Sequence, residues 1–299
     1  MPLAAFPKCF IDSICVEKSM TVYDWIEATA PMDIDGLEFY WPMTPSNDFA
    51  ETQKLRQAVE AQGRSIPMMC YSPDFTKPAL EDRMREVAEE RQALKVCEDL
   101  GVRFCRVLSG QRRPDVSRRD GIQWVRECIE ELLPSAEQHQ VVLVLENHYK
   151  DGFWDYPEFA QKRDVFLELL DAIPESPWFG VNYDPSNAIT AGDDPIELLQ
   201  DVKHRLRSMH ASDRYFEGGT LEDLKQLDEE PKQGYASILK HGVIGEGLND
   251  YDQIFKILKG VDFNSWISIE DGPDPEKGIH DITESAIFLR QKMSEHGLR

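Results

Sequence analysis

The stretch Val141-Val142-Leu143-Val144-Leu145-Glu146-Asn147-His148 is an apolar run of strand length that ends in a carboxylate, an amide and an imidazole. Its apolar part, Val141 to Leu145, is the longest such candidate in the chain and falls far short of the roughly 18 residues of a membrane-spanning helix. Outward from it in both directions, short β-rich runs alternate with helical patterns. The strand candidates are eight: Ala5 to Asp12, Gly36 to Trp41, Ser65 to Tyr71, Arg103 to Leu108, Val141 to His148, Phe179 to Asp184, Leu206 to Ser212 and Trp266 to Glu270. Between them apolar residues recur at three- and four-residue steps, as in Leu80, Met84, Val87, Leu94, Cys97 and Leu100, with Gly101 placed to stop that helix. The other helical segments are Asp48 to Gln62, Ile122 to His139, Asp164 to Ile173, Pro195 to His204, Asp250 to Leu258 and Ile282 to Met293. Each parallel connection requires a covering helix, so this alternation predicts an α/β fold, a single (β/α)8 TIM barrel over residues 1–299. A doubly wound open sheet is the rival, and no Gly-x-Gly-x-x-Gly follows the first strand to support it.

The chain of 299 residues carries 33 Lys plus Arg against 55 Asp plus Glu, a formal charge of −22. That balance argues against a non-specific nucleic-acid binder, which needs a basic surplus on some face. With 41% apolar and 10% aromatic residues, the chain can bury a substantial core. The first ten residues have too short an apolar stretch, and no basic region before it, for a signal peptide. A cytoplasmic setting without membrane contact is the expectation. The six cysteines, Cys9, Cys15, Cys70, Cys97, Cys105 and Cys128, show no CxxC spacing and read as small buried apolar residues. One connection is abnormal: the loop between the seventh strand candidate and its helix, at about 213–247, is rich in charge, and loops beyond ~12–15 residues in compact domains are usually functional or disordered. It reads as a lid or specificity loop with a short helix near Leu221 to Leu227.

Barrel active sites lie at the carboxyl ends of the strands. The last four strands end in Glu146, Asp184, His210 and Glu270. Any one of them alone reads as a cap, turn or core residue. Converging from four successive strand ends, they form an oxygen-dominated set with one imidazole, suited to a hard or borderline divalent ion. Three carboxylates without a cation would repel one another strongly.

The motifs Leu145-Glu146-Asn147-His148, Asp184-Pro185-Ser186-Asn187, His210-Ala211-Ser212-Asp213, Gly245-Glu246-Gly247 and Trp266-Ile267-Ser268-Ile269-Glu270 resemble those of the xylose isomerase-like TIM barrel superfamily of sugar phosphate isomerases and epimerases. The likeness extends over Asp74-Phe75-Thr76 to Arg106-Val107-Leu108-Ser109-Gly110 and so covers most of the chain. It implies a divalent metal, Mn²⁺ foremost with Mg²⁺, Co²⁺ or Zn²⁺ as alternatives, held by Glu146, Asp184, His210 and Glu270. It also implies proton transfer by Glu146 and Glu270 on a ketose or keto-sugar derivative, through a metal-stabilised enediolate. Return of the proton to the same carbon gives epimerisation, return to its neighbour gives isomerisation, and loss of a β-substituent gives elimination. Two departures from ketose 3-epimerases stand out. Asn187 occupies the position where they carry a His, and Arg214 follows His210 by only four residues. Many relatives in this superfamily form dimers or tetramers, so a homo-oligomer is compatible with the resemblance.

His148 shares strand parity with Glu146, which directs it to the same mouth as a hydroxyl contact or general base, and as the base of a metal-dependent lyase or dehydratase. Candidate substrate contacts are Glu38, Tyr71, Arg106, Asn187, Asp213 and Arg214, with Tyr40, Ser109, Trp41 and Trp154 as further pocket residues. His241 reads as surface. The expected partner is a small sugar, not a nucleic acid, because a DNA-processing relative of this superfamily would need a basic face and a His-rich site, and this chain has seven His in all.

Overall fold

The computed structural model describes residues 1–45, 48–224 and 234–298. Its main sheet is parallel: β1 (Leu3–Ala5), β2 (Gly36–Leu37), β3 (Phe39–Tyr40), β4 (Met68–Cys70), β5 (Phe104–Val107), β6 (Val142–Glu146), β7 (Phe179–Tyr183), β8 (Leu206–Ala211) and, after a separate antiparallel pair of β9 (Arg214–Phe216) and β10 (Leu239–His241), β11 (Ile267–Ile269). The order β2-β1-β11-β8-β7-β6-β5-β4-β3 closes the ring, because β2 and β3 are two halves of one stave, broken at Glu38. One half pairs with β1 and the other with β4. Nine short strands thus make an eight-staved α/β barrel, as the alternation predicts.

The covering helices are α1 (Val22–Ala28), α2 (Phe49–Glu60), α3 (Leu80–Leu100), α4 (Arg118–His139), α5 (Arg163–Ala172), α6 (Pro185–Thr190), α7 (Pro195–Val202), α8 (Leu221–Leu224), α9 (Tyr251–Gly260) and α10 (Gly278–Glu295). Their boundaries follow local chemistry. α3 stops at Gly101, which takes φ 74°, a left-handed value that costs glycine little. Ser117 caps α4 by accepting from Asp120 N. α1 has a full capping box between Thr21 and Asp24, a signal the apolar periodicity does not reveal. Most of these helices pack their apolar faces with the strands into one main core, with Trp25, Leu55, Leu94, Ile129, Leu169 and Phe255 inaccessible or nearly so, while Ile189, Leu224, Ala236 and Leu239 form a smaller separate cluster.

The first strand is a correction. It runs Leu3–Ala5, not Ala5 to Asp12, and residues 8–16 wind through 3-10 and π turns. Pro7 has no N–H to offer a ladder, so the strand ends ahead of it and Lys8 lies in the loop at the barrel mouth. Several other strands are shorter than expected at their ends. The long connection holds an antiparallel pair, β9 (Arg214–Phe216) and β10 (Leu239–His241), with His241 opposite Arg214. The short helix appears at Leu221–Leu224, and the remainder of its expected span falls outside the described residues. Among the described residues no helix is long and apolar enough to cross a membrane.

Candidate active site

Parallel strands in register deliver their carboxyl ends to one face, and there Glu146, Asp184, His210 and Glu270 meet, each offering a ligand atom within 4.8 Å of the others. All four are buried. The His210 Nδ1 lies 2.9 Å from Glu270 Oε2 and 3.2 Å from Glu146 Oε1. Its Nε2 faces Glu38 Oε2 at 3.0 Å, so Glu38 sets the ring's orientation from behind. Cys70 is beside that pair, its Sγ 3.9 Å from Glu38 Oε2.

The remaining lone pairs are occupied from the neighbouring strands and loops. Arg106 Nη1 donates to Glu146 Oε2 (3.1 Å) and Nη2 to Ser72 Oγ (2.8 Å). Asn187 Nδ2 donates to Glu146 Oε1 at 3.2 Å. Ser212 Oγ donates to Asp184 Oδ1 (2.7 Å), and Asn147 clamps the Asp184 backbone by giving its Nδ2–H to the carbonyl and taking the N–H. Lys8 Nζ lies 3.8 Å from Glu270 Oε1.

Burial opposes charge on all these groups, and the neighbours decide the outcome. Glu270 is held well below the usual carboxylate range because Lys8 and His210 override its desolvation. Glu146 is likewise lowered against burial by His210 and Arg106. Asp184 is pushed up to about 7 by burial and by the negative charges of Glu270 and Glu146. Three close carboxylates, one of them already pressed toward protonation, and one imidazole form a donor set that fits a divalent cation, whose charge would relieve this repulsion.

Beside the cluster lies a cavity of about 440 Å³ lined by Lys8, Tyr40, Arg106, His148, Tyr149 and Glu270, among others. His148 lines it from the loop two residues beyond the end of β6, not from the strand over which parity was argued. Its Nδ1 has no hydrogen-bond partner among the described residues, and burial lowers it to about 4, so it stands neutral. Tyr40 donates to Asp151 Oδ2 (2.9 Å) and stacks on Phe153.

Other expected contacts lie elsewhere. Tyr71 gives its hydroxyl to Glu89 on α3 (3.0 Å), away from the cluster, and meets Trp41 edge-on. Asp213 is a correction: its carboxylate is spent on four backbone N–H groups, of Arg214, Gly245, Gly247 and Asn249, at 2.9–3.1 Å. A Cβ at Gly247 would stand 2.3 Å from Asp213 Oδ1, which explains the glycine there. Ser109 serves Glu158 through its N–H (2.6 Å) and hydroxyl. Trp154 is only half-buried and does not line the cavity. His241 is half-buried rather than superficial, 3.3 Å from Asp271 Oδ1. Arg214 lies beside it, stacked over tyrosines rather than against the carboxylate cluster. Lys8, Tyr149, Asp151 and Phe153 line the cavity without having been singled out. Lys8 was hidden by the strand boundary, and the other three by their place in a loop with no periodicity.

The family profile described as xylose isomerase-like TIM barrel matches residues 26–292. The chain belongs to that family. Within it, an inosose dehydratase from Clostridium tetani (strain Massachusetts / E88) is 27% identical over 257 residues, covering 82% of this chain and 81% of its own. A D-tagatose 3-epimerase-like protein superposes with a TM-score of 0.77 at 17% identity, covering 99% and 98% of the two chains. The IOLI protein, crystallised with a zinc atom, superposes with a TM-score of 0.75 at 15% identity over 99% of each chain. The chain is thus a xylose isomerase-like barrel whose donor cluster is of a kind that fits a divalent metal.

Proposed function

We propose that this xylose isomerase-like barrel is a divalent-metal-dependent sugar isomerase or epimerase, acting on a ketose or keto-sugar derivative by moving a proton on the carbon beside the ketone. One observation supports it above the rest: three carboxylates and an imidazole from four strand ends offer ligand atoms that all lie within 4.8 Å of one another. A bound Mn²⁺, or Mg²⁺, Co²⁺ or Zn²⁺ in its place, would polarise the substrate carbonyl and stabilise the charge of an enediolate. Glu146, Asp184, His210 and Glu270 are the residues that would hold it. Glu146 and Glu270, both kept ionised by cations, are the proposed acceptors and donors of the substrate proton. Arg106 and Asn187 fix the Glu146 carboxylate, and the Arg106 Nε has no hydrogen-bond partner among the described residues. The cavity beside them is in the size range of small-molecule pockets, roughly 300–1,000 Å³. In this reading the partner is a small sugar, neither nucleic acid nor membrane, the setting is the cytoplasm, and a homo-oligomer is compatible with the barrel.

A second reading, elimination by a lyase or dehydratase, is favoured by His148, a buried neutral imidazole on the cavity wall whose Nδ1 has no hydrogen-bond partner among the described residues. It would serve as the base. The test is incubation of the Mn²⁺-loaded protein with a ketose panel in D₂O, followed by mass spectrometry. Deuterium at unchanged formula, lost in Glu270→Gln, supports the isomerase. Loss of water or another leaving group from the product, abolished by His148→Ala, supports the lyase, and exchange that persists in Glu270→Gln contradicts the proton-transfer role.

A further inference from the structure

On the side of the mouth next to Glu270, two cations converge on one aromatic ring. Lys8 Nζ lies 6.0 Å and Arg214 Cζ 5.2 Å from the centre of the Tyr149 ring, and Arg214 also stacks 4.3 Å over Tyr235. Lys8 and Tyr149 line the cavity. Arg214 is 1% exposed, yet its Nε and Nη1 have no hydrogen-bond partner among the described residues. A buried guanidinium left in that state is costly, since its donors have given up water.

The nearby carboxylates are engaged elsewhere. Asp213 is saturated by four backbone amides. Asp271 accepts from Asp213 N and Gly272 N, both at 2.9 Å, and faces His241. Glu270 is shared between Lys8 and His210. The tyrosine faces stabilise the charge of Arg214 but accept none of its N–H bonds in the plane of the fork. What the fork lacks is a planar or tetrahedral anion, which a guanidinium binds through paired N–H donors.

We propose that Arg214, with Lys8, forms a subsite for an anionic group of the substrate, carboxylate or phosphate, so that the enzyme's substrate is an acidic keto-sugar and not a neutral ketose. This rests on the proton-transfer reading of the same site. The anionic group lies beside Glu270, because Lys8 contacts both that carboxylate and the cavity. The positive edge also offsets the acidity of the mouth, which would otherwise repel such a substrate.

The test uses the full chain loaded with Mn²⁺, with metal binding measured first. Calorimetric titration at fixed ionic strength then compares D-fructose with D-fructuronate and with D-fructose 6-phosphate, and D-tagatose with D-tagaturonate. At least one anionic member should bind about 30-fold or more tightly than its neutral partner, the gap expected for charge-assisted hydrogen bonds. The pair that shows the gap distinguishes carboxylate from phosphate. Arg214→Met should close the gap, Lys8→Met should narrow it, and Arg214→Lys should keep part of it, with melting curves showing that each variant is folded. Equal binding of neutral and anionic members, no binding by any anionic member, or an unchanged gap in folded Arg214→Met would overturn the subsite. Failure to bind Mn²⁺ would instead strike the proton-transfer reading.

Discussion

The two sides of the barrel mouth are built differently. On one, Glu146, Asp184, His210 and Glu270 project from the ends of adjacent parallel strands, and strand register places them. On the other, Lys8, Tyr149, Arg214 and Tyr235 come from loops and a hairpin, held by bonds such as the four amides around Asp213. The first side gathers negative charge and the second positive charge. Side chains fixed by a sheet tolerate little displacement, so the metal-ligand and proton-transfer roles suit them. Side chains fixed by loops can be re-aimed by changing a few residues, which suits substrate selection.

The sharpest way to break this division is Glu270→Gln. Under the proton-transfer reading it should lower kcat/KM for exchange by about 10³–10⁴-fold, measured as deuterium incorporation. A loss below tenfold would remove Glu270 from the chemistry. On the loop side, Asp213→Ala leaves four N–H groups, those of Arg214 and Asn249 buried and those of Gly245 and Gly247 part-buried, without their acceptor and should cost about 2–3 kcal/mol of stability. Amide exchange at Gly245, Gly247 and Asn249 should accelerate, and unchanged protection there would mean that the loop is held by other contacts.

Glu38→Gln probes the support behind the sheet side. Removing the carboxylate that faces His210 Nε2 should weaken Mn²⁺ binding by about 10–100-fold, the usual effect of losing such a partner. Full retention of affinity in equilibrium dialysis would show that the ring orientation is set by packing alone. Glu158 tests the seam between strand and loop. Burial pushes it from 4.5 up to about 8, against two bonds from Ser109. A carboxyl raised in the folded state binds its proton more tightly there than in the unfolded chain. Its contribution is therefore fully present below about pH 4.5 and is lost as pH rises toward 8, at no more than about 1.4 kcal/mol per pH unit. Urea denaturation should show the wild type losing stability relative to Glu158→Gln across that window, and parallel curves would refute the assignment.

The same division governs what could be read from residues alone. Period-two and period-three-to-four patterns revealed the alternation of strands and helices, and polar residues after apolar runs marked the strand ends Glu146, Asp184, His210 and Glu270. The resemblance of those motifs to the xylose isomerase-like family then implied the roles proposed for them. Pro7 was the overlooked cue at the first strand: placing that strand over Ala5 to Asp12 buried Lys8 in the middle of a stave and hid it from the mouth. Tyr149 and Phe153 follow β6 without periodicity, so only the folded chain shows that they line the cavity. Asp213 stood in a motif beside His210 and so resembled a substrate contact. Its acceptors face Gly245, Gly247 and Asn249, more than thirty residues away in sequence, a pairing that no local pattern encodes.

The account stands on the convergence at Glu146, Asp184, His210 and Glu270, and titration of the metal-free chain with Mn²⁺, with free ion read by electron paramagnetic resonance, tests it most directly. One ion per chain should bind tightly in the wild type, and that stoichiometric binding should vanish in folded His210→Ala and Asp184→Ala. No stoichiometric binding by the wild type, or a bound ion that survives both substitutions, would contradict it.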